Sequence, residues 1–226
     1  MPEELSPNIQ DYLKRIYEIT ASSGGKATTN QLAAVLGISP ASVTNMVQKL
    51  SKTSPPYLAY QKHQGVSLTE AGRQAALKII RRHRLIEHYL VKALGYTWDE
   101  VHEEAEILEH AMSPTLESRI DAALGYPDFD PHGDPIPDAD LVLPEVEQTL
   151  LSRLPVGQFA VVVRVPHEDQ KVLQYLGKCG LRPGTEIKLI ARTPYDQTMR
   201  VLILMADEEV VIGPNLGDQI TLSTSK

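Results

Sequence analysis

Four of the seven histidines of this 226-residue chain fall between residues 83 and 110, and two of them begin patterns with a carboxylate one helical turn away. His83 and Glu87 are spaced i, i+4. His102, Glu106, Glu109 and His110 follow at i, i+4, i+7 and i+8, which is one face of a helix. Apolar Ala105, Ile107, Leu108, Ala111 and Met112 run beside that second set, so the stripe borders a core. Carboxylates crowded beside a core repel one another and lose hydration unless a cation joins them. Imidazole and carboxylate donors without thiolate suit Mn²⁺, Fe²⁺, Co²⁺ or Zn²⁺. Histidines satisfied by hydrogen bonds on a solubilising helix would explain any one of these residues, but two helices each offering the pair favour a metal.

The elements that must carry these side chains are helices. A long helix runs from Thr69 through LKIIRRHRLIEHYLVKAL to Gly95. Thr97 with Glu100 caps the next, which continues to about Met112, and Ser113-Pro114 opens another that ends at Gly125. Upstream, Pro7 starts an amphipathic helix that stops at Gly24-Gly25. Thr28 and Gln31 form a capping box for a short helix ending at Gly37, and PASVTNMVQKL follows with Val43, Met46, Val47 and Leu50 as its buried stripe. Two short helices joined at a glycine, then strand-like pieces around Gln64-Gly65, predict a winged helix-turn-helix.

The second of those short helices carries the residues a recognition helix needs. Ser39, Pro40, Ala41 and Ser42 allow close backbone approach, Asn45 and Gln48 can pair bidentately with adenine, and Thr44 and Lys49 can reach base or phosphate. Lys62 and His63 at the hairpin tip are further candidates for phosphate contact.

The net charge of −7 argues at first against nucleic acid, but it is unevenly distributed. Residues 1–95 hold 12 basic and 6 acidic side chains, residues 96–150 hold 1 and 15, and residues 151–226 hold 9 and 8. The basic block coincides with the helix-turn-helix and the acidic block with the candidate ligands. One cysteine, Cys179, excludes an internal disulfide framework and a Cys-rich zinc site. The acidic, polar N-terminus and the shortness of the apolar runs predict a soluble, cytoplasmic protein with no membrane span.

Five prolines within residues 126–150 predict a linker. Beyond it FAVVVRV, TEIKLIA, TMRVLILM, EVVIG and DQITL predict a small β-barrel, interrupted by a helical piece from Glu168 to about Cys179. The expected architecture is mainly α with a β C-terminal domain: a winged helix-turn-helix over 1–75, a helical domain over 76–125, the linker over 126–150 and the barrel over 151–226.

DYLKRIYEI, LGISPASVTNMVQKL, GVSLTEAGRQ, RRHRLIEHYL, VHEEAEILEHAMS and DPHGDPIP together resemble the diphtheria toxin repressor family of metal-dependent transcriptional regulators, over essentially the whole chain. The resemblance implies that the helical domain also dimerises and that the barrel is an SH3-like, FeoA-like domain. It further implies two ions per subunit. The primary site would use Asp11, Glu106, Glu109 and His110. The ancillary site would use His83, Glu87 and His102, completed by the barrel through Glu168, with Asp169 close behind and His167 as a further donor. Iron-responsive members have Met and Cys where this chain has Asp11 and Glu106; two carboxylates there favour Mn²⁺ over Fe²⁺. Lys14, where the binuclear manganese sensors place Glu, argues against a shared two-metal cluster.

The function implied is a homodimeric, metal-activated repressor of metal-uptake genes that binds a palindromic double-stranded operator. It is no enzyme and takes no small-molecule substrate. An iron-responsive repressor and a metal-independent winged-helix regulator are the alternatives. A metallohydrolase would leave the helix-turn-helix unexplained.

Overall fold

The structure is a computed structural model and describes residues 5–61 and 64–224. Its chain divides into two compact units, Met1–Arg82 with Pro137–Val142, and His83–Ile136 with Leu143–Lys226.

In the first unit α1 (Pro7–Ser23) begins at a proline, which needs no helical N–H partner, and ends at Gly24 in the left-handed conformation. The predicted Thr28–Gln31 capping box starts α2 (Thr29–Leu36). Gly37, at φ +67°, then turns the chain into α3 (Pro40–Leu50), capped by the Ser39 hydroxyl. Strands β1 (Leu58–Gln61) and β2 (Gly65–Leu68) form the antiparallel wing, which Ala27 joins through a bridge to Val66. Gly65 is required where that bridge forms: its φ is +87°, and a Cβ there would lie 2.8 Å from the Ala27 carbonyl oxygen. Leu13 and Ile16 of α1, Leu32 of α2, and Val43, Val47 and Leu50 of α3 fill one core with Leu58 and Val66. Burying each of these side chains stabilises the fold by about 1.5–3 kcal/mol, so α3 is rigidly tied to α1. Lys62 and His63 lie outside the described residues.

The 25-residue helix α4 (Glu70–Leu94) contributes residues to both units. In the second unit its C-terminal part packs with α5 (Val101–Leu108) and α6 (Pro114–Leu124) through Leu85, Ile86, Leu90, Val101, Ala105, Met112 and Ile120. Helix α5 is shorter than its pattern predicts: residues 109–111 form a turn, and Ser113 takes an extended conformation as the cap before Pro114. Thr97 bonds the Glu100 carboxylate, as expected of a cap, but α5 starts one residue after Glu100.

The rest of this unit is an antiparallel sheet of six strands where the sequence predicts five. They are β3 (Thr149–Leu150), β4 (Phe159–Arg164), β5 (Glu186–Arg192), β6 (Met199–Ile203), β7 (Glu208–Ile212) and β8 (Thr221–Ser223), in the order β3-β8-β4-β5-β6-β7. A two-residue strand such as β3 has no periodicity to detect. Register shifts in β4 and β5 bend the sheet around Val162, Leu189, Val201, Ile212 and Leu222, the SH3-like form. Helix α7 (Gln170–Lys178) follows β4 and buries Leu173 and Leu176 in the same core. Residues 126–148 contain neither helix nor strand beyond a single bridge, as their prolines dictate. The proline-rich stretch is nevertheless no loose linker throughout, because Asp130, His132, Asp134 and Ile136 are buried.

Candidate metal centre

Helix periodicity sets the first donors. His83 and Glu87 lie on one face of α4, with His83 Nε2 3.0 Å from Glu87 Oε1. His102 at the start of α5 brings Nδ1 to 3.2 Å from that same oxygen and also to 3.2 Å from His83 Nε2. Glu106, one turn further on, is 3.7 Å from His102 Nε2. The donor atoms of His83, His102 and Glu106 are close enough together to hold one ion.

A second donor group comes from the 128–136 segment, here called the strap, whose donors the spacing of the helical residues could not indicate. Asp130 and His132 meet Glu87, all three fully or almost fully buried, with His132 Nδ1 3.6 Å from Glu87 Oε2. His132 Nε2 donates to the Trp98 carbonyl at 2.7 Å, which leaves Nδ1 as its donor for a metal. Nδ1 is buried without a hydrogen-bond partner among the described residues. The Asp130 Oδ1 atom accepts the backbone N–H of both His132 and Asp134, at 2.8 and 2.9 Å, and so folds the strap.

The electrostatics reflect ionisable groups gathered out of water. Burial raises Asp130, the Asp134 and Glu87 charges add to this, and together they bring its carboxyl to about 7 despite His132 and Arg84. Burial opposes charge on His132, but the Glu87 contact and charge, then Asp130, push it up to about 9. Glu87 is held well below the usual carboxylate range: burial opposes this, but His83, His102 and His132 outweigh it. A buried carboxylate ringed by imidazoles, with an unbonded Nδ1 facing it, is a donor set that fits a divalent cation.

The remaining primary candidates are placed as follows. Glu109 and His110 sit in the turn after α5 rather than on the helix itself. Glu109 is fully buried, with Oε2 2.5 Å from His83 Nδ1 and Oε1 3.7 Å from His110 Nε2. One carboxylate therefore connects His83 of the ancillary set to His110 of the primary set. Asp11 lies partly buried on α1 in the first unit.

Of the barrel candidates, Asp169 caps α7, its carboxylate accepting the Lys171 N–H at 2.8 Å. Glu168 is exposed on a cavity that His102, Glu103 and His167 also line. His167 comes closest to the buried cluster, with its ring centroid 5.3 Å from that of His132 and 5.6 Å from that of His102. On α3, Ser39, Pro40, Ala41, Ser42, Asn45, Gln48 and Lys49 are exposed, while Thr44 is half-buried and bonds the Pro40 carbonyl.

A winged helix and clustered imidazole and carboxylate donors define the class of metal-dependent transcriptional regulators. Comparison with known proteins agrees. Residues 4–66 match the iron dependent repressor N-terminal DNA binding domain, residues 69–138 the iron dependent repressor metal binding and dimerisation domain, and residues 149–223 the FeoA domain. The iron-dependent repressor IdeR of Mycobacterium tuberculosis is 34% identical over 203 residues, covering 81% of this chain and 84% of its own. The regulator MntR of Geobacillus kaustophilus is 35% identical over 121 residues, 54% of this chain and 83% of its own. A solved manganese-dependent transcriptional repressor in complex with manganese is 38% identical with a TM-score of 0.88, covering 96% of this chain and all of its own. The chain belongs to the iron-dependent repressor family, the diphtheria toxin repressor family that its motifs resemble. Among the described residues, no helix is long and apolar enough to cross a membrane.

Proposed function

We propose that the protein is a manganese-activated repressor that binds a palindromic operator as a homodimer and regulates metal-uptake genes. The observation that carries this reading is the donor set, in which every candidate ligand is an imidazole or a carboxylate and none is sulfur. Likeness to the manganese-dependent repressor supports the choice of metal.

The primary ion is assigned to Asp11, Glu106, Glu109 and His110. The ancillary ion is assigned to His83, Glu87 and His102, with Asp130, His132 and His167 as donors that the helical spacing does not supply. Bound there, a divalent cation supplies the positive charge that gathered carboxylates lack. Asp11 precedes Tyr12 and Leu13, which share a core with Val43 and Val47 of α3, so restraining Asp11 restrains the recognition helix. Glu109 contacts both His83 and His110, so occupancy at one set of donors biases the other. Exposed Ile107 and Leu108 near the end of α5 and Leu116 on α6 offer apolar surface for a second copy. A dimer then presents two copies of α3 to half-sites about 34–36 Å apart.

Operator affinity of the full-length protein in chelator, Mn²⁺ and Fe²⁺ tests the reading. Manganese should tighten binding by about tenfold or more; equal affinity in chelator and manganese overturns it. Stronger activation by Fe²⁺ at equal free concentration would select an iron-responsive repressor, which the likeness to IdeR over most of the chain favours.

A further inference from the structure

Asp134 is almost fully buried in the strap and divides its two oxygens between different tasks. Its Oδ1 lies 2.8 Å from Arg164 Nε on β4 and 3.5 Å from Arg84 Nη2 on α4. Its Oδ2 lies 2.9 Å from His167 Nδ1, an ion-pair contact in which neither atom meets hydrogen-bond geometry. The backbone beneath it is fixed: Asp134 N–H donates to Asp130 Oδ1, and the Asp134 carbonyl accepts the Asp130 N–H at 3.0 Å. The strap also lies directly on the strand that leads to His167. The His132 carbonyl accepts the Val165 N–H at 3.0 Å, and a Cβ on Gly133, which has φ +88°, would fall 1.8 Å from the Val163 carbonyl oxygen. Any residue larger than glycine would therefore push the strap off β4.

This arrangement separates Asp134 from the ligands around it. Two guanidinium groups compensate its charge, so it has little need of a cation. A carboxylate fixed in this way can order the imidazole beside it. In a neutral imidazole one nitrogen carries the proton and the other is the donor, and a carboxylate on one ring nitrogen settles which is which.

We propose that Asp134 is a positioning residue for the metal centre: by engaging Nδ1 of His167 it fixes that ring's tautomer and orientation, reserves Nε2 for a divalent cation, and so recruits a donor from the β-domain to Glu87, Asp130 and His132. The proposal rests on the reading of His167 as a ligand. Arg84 and Arg164 contribute indirectly, by holding Oδ1 of the carboxylate in place.

The test is a double-mutant cycle on the full-length protein, with Mn²⁺ affinity and stoichiometry measured by calorimetry for wild type, Asp134→Asn, His167→Ala and the double variant. Asp134→Asn should weaken manganese binding by about 10–100-fold in the wild-type background and by less than about twofold when His167 is already absent. Equal losses in both backgrounds would show that Asp134 only supports the fold, and no loss in the wild-type background would show that it positions nothing; either overturns the proposal. If His167→Ala changes neither affinity nor stoichiometry, the reading of His167 as a ligand falls too, whereas a loss with His167→Ala and none with Asp134→Asn overturns the proposal alone. Should Asp134→Asn not fold, ¹⁵N NMR of the wild-type protein titrated with Zn²⁺ decides. A protonated Nδ1 and a metal-shifted Nε2 on His167 are expected, and the reverse assignment overturns the proposal.

Discussion

The donors around Glu87 and those around Glu106 use the same two side-chain types in opposite surroundings. Glu87, Asp130 and His132 are at most 5% exposed, and their charges are balanced by one another and by the arginine beside them. The Glu106 side chain is 30% exposed and that of His102 24%. An ionisable group that water still reaches can exist without a partner, whereas a buried one cannot. The inner donors are therefore part of the fold as well as of the site, whereas water shares the solvation of Glu106 and His102.

The largest expected effect separates those roles. Glu87→Ala removes the carboxylate shared by three imidazoles and should lower the stability of the metal-free protein by about 3 kcal/mol, read as a shift in denaturant midpoint. Glu106→Ala should leave stability within about 0.5 kcal/mol while abolishing manganese activation of operator binding. Similar stability losses for both would erase the distinction. On the DNA side, Asn45→Ala should weaken operator binding by about 1–3 kcal/mol, with the manganese affinity of the free protein unchanged in calorimetry.

The inner donors also predict a pH dependence. His132 is raised to about 9 in the folded protein, so its stabilising contribution is complete below its unfolded value near 6.5 and is lost as pH rises towards 9. Asp130, raised to about 7, acts in the same direction between about pH 4 and 7, because the folded state retains the proton longer. Metal-free Tm should therefore fall as pH rises from 6.5 to 9, while the Tm increment given by Mn²⁺ grows because ligation displaces those protons. A flat increment across that range would mean that His132 does not ligate. The smallest effect is expected at exposed Glu168, where Ala should change manganese affinity by less than about twofold, in line with the role assigned to His167.

The helix-turn-helix was legible because its signals are local. Ser6-Pro7, Gly24, Thr28 with Gln31, and Gly37 each act within four residues, and the apolar period between them names the core. The α4 and α5 donors were legible for the same reason, through their i, i+4 spacing. Asp130, His132 and Asp134 carry no such signal. They lie among prolines that predict a linker, and their burial depends on contacts with α4 and β4 that are distant in sequence. The sequence favours Glu168 only slightly over adjacent Asp169, with His167 as a further donor, and a helix cap at Asp169 distinguishes them in the fold.

Anomalous scattering at the manganese edge from crystals of the full-length protein tests the two-site arrangement most directly. Two peaks per protomer are expected, one among Glu87, Asp130 and His132 and one beside Glu106, Glu109 and His110. A single peak, or peaks away from both groups, would contradict it.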